Sequence, residues 1–76
     1  MNEELNFGEA LALLKQEKRV GRAGWNGKGQ FLELQVRTDL SKMTLSYIYI
    51  TTVQGDLVPW IASQADLLEE DWYQII

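Results

Sequence analysis

The chain has 76 residues and a formal net charge of −4, and it contains neither cysteine nor histidine. The acidic balance argues against general binding to nucleic acid, and the missing residue types exclude disulfides, thiolate metal sites and histidine proton shuttles. Because a chain of this length buries only about 60% of its unfolded surface, self-association is the reinforcement that remains, and we expect a homo-oligomer.

The first predicted element is an N-terminal helix that begins after Asn6. Glu9 follows Asn6 at the spacing of a capping box. Three cations, at positions 15, 18 and 19, are expected in the last turn, where they complement the helix dipole, and Gly21 is expected to end the helix. Apolar residues at helical spacing predict one buried face: Phe7, Ala10, Leu11 and Leu14.

Short alternating runs then predict an antiparallel sheet of about five strands. The strongest run, Leu45 to Val53, is rich in β-branched and aromatic residues. Asn26-Gly27 is a hairpin signal, although Lys28-Gly29 lengthens the loop beyond two residues. Pro59 ends the fourth strand because it has no N–H for the ladder. The predicted strands span residues 20–25, 30–38, 45–53, 57–58 and 72–76.

A short helix is predicted before the last strand, with two placements of its N-terminus. Either Ser63 caps it with Asp66 at the third position, or Asp66 caps it with Glu69 there. Both placements put Leu67 and Leu68 near the core. The sequence therefore predicts one α+β domain over residues 1–76, with an N-terminal helix, the sheet and one short helix.

The segment 21–32 combines four glycines, two cations and two large aromatic residues. It lacks the spacing of a P-loop. Its backbone N–H groups could form an anion-binding nest beside Lys28. The alternative is an ordinary hairpin turn with Trp25 in the core, and the spacing leaves both interpretations open.

A second group of interest is Trp60 with Ser63 and Asp66. Hydroxyl and carboxylate groups can hydrogen-bond a base or a ribose. Alternatively, the tryptophan fills the core and the other two residues only cap a helix. Oxygen ligands for a hard metal ion are conceivable at positions 66, 70 and 71, but acids 69–71 are better explained as a solvated face. No spacing supports a catalytic pair, so we predict neither catalysis, nor a metal, nor a cofactor.

Targeting signals are not predicted. Glu3 and Glu4 lie where a signal peptide needs positive charge. No apolar run approaches the roughly 20 residues of a membrane span. We therefore expect a soluble cytosolic protein without nucleic-acid or membrane partners.

Four segments together resemble the Thoeris anti-defense 2 family, and they cover nearly the full chain. The segment from Arg37 to Thr52 is shorter than in many members. The matching segments are FGEA at 7–10, GWNGKGQFL at 24–32, VPWIASQADLL at 58–68 and EDW at 70–72.

The resemblance implies a phage or prophage protein that acts in the cytoplasm of a bacterial host as a molecular sponge. Such proteins bind and sequester glycocyclic ADP-ribose, the cyclic ADP-ribose isomer that Thoeris proteins make as a signal, without cleaving it. Family members form homotetramers with the ligand at subunit interfaces, and some also bind cyclic dinucleotides of CBASS in separate pockets.

The resemblance also implies roles for residues of this chain. Trp25 and Phe31 would stack on the adenine, and Lys28 would hold pyrophosphate or ribose oxygens with Asn26 and Gly27. Arg22 is a further helper in this hypothesis. A second wall would come from the same or a neighbouring subunit: Trp60, Ser63 and Asp66. The alternatives are a protein-interaction module and an ADP-ribose-processing hydrolase.

Overall fold

The computed structural model describes residues 4–27 and 29–76, in which two helices accompany one five-stranded antiparallel sheet. Along the sheet the strands lie in the order β4-β3-β2-β1-β5. This confirms the predicted α+β fold with a short helix before the last strand. The elements are α1 (Phe7–Lys15), β1 (Arg19–Arg22), β2 (Phe31–Gln35), β3 (Tyr47–Thr51), β4 (Leu57–Pro59), α2 (Gln64–Leu68) and β5 (Trp72–Ile75).

The capping box predicted for α1 is present. The Asn6 side chain accepts a hydrogen bond from the Glu9 N–H at 2.8 Å, and the Glu9 carboxylate accepts one from the Asn6 N–H at 2.9 Å. The predicted C-terminus is wrong: the helix ends at Lys15, and Arg19 already belongs to β1. The cause is Glu17, whose left-handed φ of 62° turns the chain four residues before Gly21.

One face of the sheet packs against α1 and carries the core. Val20 of β1 lies opposite Leu32 of β2, so both side chains point to the helix. Arg22 lies opposite Trp72 of β5 on this same face. The fully buried core residues are Ala10, Leu14, Val20, Leu32 and Trp72.

Among the described residues, no helix packs against the other face of the sheet, here called the open face. Side chains alternate along each strand, so the residues between the core positions lie on this face. Tyr73 is opposite Gly21, and Phe31 is opposite Thr51. On the same open face, the Tyr49 hydroxyl donates a hydrogen bond to the Glu33 carboxylate at 3.1 Å.

The second helix settles the alternative left open by its sequence. Ser63 is the N-cap, and its hydroxyl accepts from the Asp66 N–H at 3.1 Å. The prediction that Leu67 and Leu68 lie near the core is wrong, because they are 43% and 75% exposed. Asp66 takes the inward position instead, since its carboxylate binds groups of β1 and the following loop. Among residues 4–27 and 29–76, neither helix is long and apolar enough to span a bilayer.

Candidate functional site

Two glycines in the loop from β1 to β2 lie so close to other segments of the protein that a larger residue would collide with them. A Cβ at Gly24 would lie 2.8 Å from a carboxylate oxygen of Asp71. A Cβ at Gly27 would lie 2.6 Å from Cγ2 of Val53, and Gly27 also has a φ of +90°. Both glycines therefore let the loop backbone lie directly against other segments, a role that only glycine fills without distortion.

A charged network ties this loop to the C-terminal part of the chain. The Arg22 guanidinium donates through Nη1 to Asp66 and through Nε to Asp71, each at 2.8 Å. The Gly24 N–H donates to the second oxygen of Asp71 at 2.7 Å. The Trp25 indole N–H donates to the same Asp66 oxygen that binds Arg22, at 3.0 Å. One arginine and two carboxylates thus fix both the start of the loop and its tryptophan.

The network shifts the pKa values of its three members so that each charged form is favoured. Hydrogen bonding from Arg22 is the main cause of a lowered pKa at Asp71. Burial alone would raise the pKa of Asp66, but hydrogen bonds from the Ser63 backbone, Trp25 and Arg22 outweigh it and lower the pKa. The pKa of Arg22 is raised, chiefly by its hydrogen bond to Asp71. All three groups are therefore charged at neutral pH.

The tryptophans share one aromatic cluster with Phe7 at the edge of the core. Trp25 meets Trp72 edge-on, with ring centroids 5.4 Å apart. Trp60 meets the same ring edge-on at 6.1 Å. Phe7 lies 6.0 Å from Trp60 and 5.3 Å from Trp72. Since edge-to-face contacts favour one relative orientation, the cluster restrains the ring of Trp25 from a second side.

Two adjoining concavities lie beside the loop. The first, the loop basin, has a volume of about 450 Å³ and is lined by Arg22, Ala23, Trp25, Gly27, Gly29, Gln30 and Tyr73. The second, the open-face basin, has about 510 Å³ and is lined by Gly29, Gln30, Phe31, Tyr73, Gln74, Ile75 and Ile76. Gly29, Gln30 and Tyr73 line both, so the two basins meet there.

The residues predicted from sequence to bind a ligand are distributed unevenly around these basins. Trp25 and Gly27 line the loop basin, and Phe31 lines the open-face basin, where the Arg19 guanidinium lies 5.3 Å from its ring centroid. The Asn26 carbonyl accepts a hydrogen bond from the Gln30 side chain, which holds the turn. Lys28 lies outside the described residues.

The second predicted wall is placed differently. Trp60 packs in the aromatic cluster, and Ser63 and Asp66 hydrogen-bond each other as the cap of α2. The contact that the structure shows between the loop and this second predicted wall is the hydrogen bond from Trp25 to Asp66. The capping interpretation of Ser63 and Asp66 describes their observed bonds, and Asp66 in addition orients Trp25.

Sequence reasoning missed Asp71 and Tyr73. It assigned Asp71 to a solvated acidic face, yet its carboxylate binds Arg22 and Gly24, residues nearly 50 positions away. No local pattern reveals such a pair. Tyr73 could have been found, because side chains alternate along the last strand and Tyr73 therefore lies on the other face of the sheet from the buried Trp72. Within the described residues, no group of three acidic side chains is arranged to hold a metal ion.

Comparison with known proteins places this arrangement in a family. The model of the Thoeris anti-defense 2-like domain matches residues 5–75. A relative named Thoeris anti-defense 2, from Bacillus phage SP01, is 36% identical over 85 aligned positions, which cover 95% of this chain and 96% of the relative. The matched region includes the loop, the charged network and every lining residue of the two basins except Ile76.

Proposed function

The chain belongs to the Thoeris anti-defense 2-like family, and from this premise we propose that it blocks Thoeris defence by sequestering a nucleotide signal. The ligand is a cyclic ADP-ribose-type molecule, glycocyclic ADP-ribose, which the protein holds without cleaving it. The action takes place in the cytoplasm of the bacterial host. Family membership supports the anti-Thoeris role, and the geometry of the loop supports the binding mode.

The observation that carries the proposal is the restraint on Trp25. Its indole N–H is held by Asp66 at 3.0 Å and its ring by Trp72, while it also lines the loop basin. A flat aromatic wall fixed before binding loses little conformational freedom when a base stacks on it. Such a stack contributes about 1–3 kcal/mol. A preorganised wall favours slow release, which is what sequestration requires.

The anionic part of the ligand has partners of two kinds in this proposal. We assign phosphate oxygens to the backbone N–H groups of the turn around Asn26 and Gly27, and Lys28 adds a cation. Arg22 contributes mainly by shaping the loop, because its charge is already paired with Asp66 and Asp71. The two carboxylates keep the loop in place rather than repel the ligand directly.

The protonation state of the two nearby carboxylates, Asp66 and Asp71, favours binding without reaction over hydrolysis. General acid catalysis needs a carboxyl group that holds a proton near neutral pH. The pKa values of Asp66 and Asp71 are lowered instead, by hydrogen bonds from Arg22 and from backbone N–H groups. Both carboxylates are therefore ionised and fully engaged in positioning.

Self-association completes the proposal, with a homotetramer that places ligand at subunit interfaces. The described part of the chain fully buries five core side chains, while twelve large apolar side chains are exposed. Several of the latter gather in a groove of about 450 Å³, here called the apolar groove. A second copy of this chain is the occupant we propose for it, because the monomer core is small. The groove is lined by Met43, Thr44, Leu45, Ser46, Tyr47 and Pro59.

The decisive experiment incubates the purified protein with glycocyclic ADP-ribose, removes the protein-bound fraction and then releases it by heat. Sequestration predicts that free ligand disappears and returns chemically intact. A hydrolase would return an altered product, and a protein-interaction module would leave the ligand free throughout. A cyclic dinucleotide of CBASS, tested in parallel, decides whether a second class of signal is held.

Two variants test the site. Trp25→Ala removes the stacking wall, and Lys28→Ala removes the cation; each is expected to weaken retention at least tenfold. Lys42→Ala is the matched control, since Lys42 is exposed in the connection between β2 and β3. Circular dichroism verifies that each variant is folded. Unchanged affinity in both folded variants would remove the loop basin as the site.

A further inference from the structure

We propose that Tyr73 is a ligand-contacting residue whose hydroxyl bonds the ligand where the two basins meet. This inference rests on the proposed function, because it assigns a further contact to the same site. It also extends the site from the loop basin onto the open face of the sheet.

The position of Tyr73 follows from the register of β5. Trp72 enters the core, so the next side chain leaves on the open face. Tyr73 lies opposite Gly21 of β1. A Cβ at Gly21 would be 3.6 Å from the Tyr73 hydroxyl and 3.2 Å from Cδ1 of Ile75. The glycine therefore leaves room for the tyrosine to reach across β1 toward the loop.

The tyrosine is common to both basins. Trp25 lines only the loop basin, and Phe31 lines only the open-face basin. A ligand that extends from one aromatic ring toward the other must pass the junction formed by Gly29, Gln30 and Tyr73. Trp25 and Phe31 line different parts of this joined surface, so in this proposal the two rings serve different parts of one ligand.

The hydroxyl of Tyr73 is available for this contact. Among the described residues it makes no hydrogen bond, and it is not a buried unsatisfied group. The Tyr49 hydroxyl, on the same face, is instead bound to Glu33. A phenol can donate and accept one hydrogen bond at once. Ribose hydroxyls, and the phosphate oxygens that join the sugars of a cyclic nucleotide, fit such a group.

The test compares Tyr73→Phe with wild type for binding of glycocyclic ADP-ribose by titration calorimetry. The variant keeps the ring and removes only the hydroxyl, so we expect about tenfold weaker binding with an unchanged melting temperature. Tyr49→Phe is the matched control, since Tyr49 lies on the same face, lines neither basin nor the apolar groove, and its hydroxyl is already bonded to Glu33. In wild type labelled with ¹³C at tyrosine rings, the Tyr73 signal is expected to shift on ligand addition, while that of Tyr49 does not.

The outcomes separate this inference from the proposed function. If wild type binds the ligand but Tyr73→Phe binds equally well and the Tyr73 signal stays in place, the assignment of Tyr73 is overturned and sequestration stands. If wild type does not bind the ligand at all, both proposals fail together. Weakened binding in Tyr73→Phe, with Tyr49→Phe like wild type, supports the inference.

Discussion

The carboxylate of Asp66 and the indole N–H of Trp25 are joined by a hydrogen bond of 3.0 Å. Through this bond a capping residue of α2 determines where an aromatic side chain of the β1–β2 loop points. The same Asp66 oxygen also accepts from Arg22 at 2.8 Å. The loop is therefore held by a segment more than 40 positions further along the chain.

Replacing Asp66 is expected to lower both stability and ligand retention. Asp66→Ala leaves Arg22 with one carboxylate and the Trp25 indole without its acceptor, and it also removes part of the α2 cap. Breaking a largely buried pair of this kind costs about 3 kcal/mol, measured as the free energy of unfolding in urea. Asp39→Ala, at an exposed acid, is the control and should change stability by less than about 0.5 kcal/mol.

The same bond gives a spectroscopic prediction. In a ¹⁵N-correlated spectrum, the Trp25 indole N–H signal should move upfield in Asp66→Ala, because it no longer donates to a carboxylate. The Trp72 indole N–H, which donates to the Asp66 backbone carbonyl at 2.9 Å, should move less. An unmoved Trp25 signal would show that the bond does not form in solution.

Acid should weaken the network in a defined pH range. The pKa values of Asp66 and Asp71 lie below the ordinary value of 3.8, so their bonds stabilise the fold fully above that value. The contribution is lost as the pH falls from about 4 through the lower pKa values of the folded state. Urea unfolding at pH 7, 4.5 and 3 should therefore show little change over the first step and a loss over the second.

Asp71→Asn isolates one part of this pH dependence. The amide keeps the shape of the side chain but does not titrate, so the loss of stability between pH 4.5 and pH 3 should be smaller than in wild type. At pH 7 the variant should be less stable than wild type, since the ion pair with Arg22 is weakened. An equal acid-induced loss in both proteins would mean that Asp71 does not contribute.

The sequence predicted the elements of the fold well because their signals are local. The capping box at Asn6 and the alternation in β3 involve neighbouring residues, and both are present in the structure. The end of α1 was missed because Glu17, a residue without special preference for it, adopts a left-handed conformation. The exposure of Leu67 was missed because the inward position belongs to Asp66, whose partner Arg22 is distant in sequence.

The candidate site was harder to predict for the same reason. Glycines and Trp25 mark the loop in the sequence, yet the side chains that lie against its glycines, Asp71 and Val53, come from separate segments. Trp25 is likewise held by a distant residue, Asp66. Periodicity and composition carry no information on such pairs. The resemblance to a family connected the loop with the segment around Trp60, but the structure shows how they are linked, through Trp72 and Asp66.

A charge in the apolar groove should separate the subunits of the proposed homo-oligomer. Leu45 is 76% exposed and lines this groove. Leu45→Asp is expected to reduce the assembled species in native mass spectrometry, because a carboxylate would be buried without a partner at the interface. Ile61→Asp is the control, since Ile61 is 90% exposed and does not line the groove. Equal assembly of both variants would place the interface elsewhere.

Glycine can be required at a position by its backbone conformation or by a lack of space for a side chain. The close approach of Val53 to Gly27 allows the second effect to be measured separately. Gly27 and Gly55 both have a φ of +90°, but only at Gly27 would a Cβ collide with a neighbour, at 2.6 Å from Val53. An alanine at either position carries the backbone strain of about 1 kcal/mol. Gly27→Ala should cost clearly more than Gly55→Ala in the free energy of unfolding, and it should also weaken ligand retention because the loop must shift.

Replacing Val53 by alanine should remove the collision that Gly27→Ala creates, and so restore stability and ligand retention. Val53 is 59% exposed, so Val53→Ala alone is expected to change stability little. The double variant Gly27→Ala/Val53→Ala should be about as stable as Gly55→Ala, and its ligand retention should recover, as judged by urea unfolding and calorimetry. If the double variant instead shows the sum of the two single effects, the close approach of these segments does not explain the glycine, and the backbone conformation alone does.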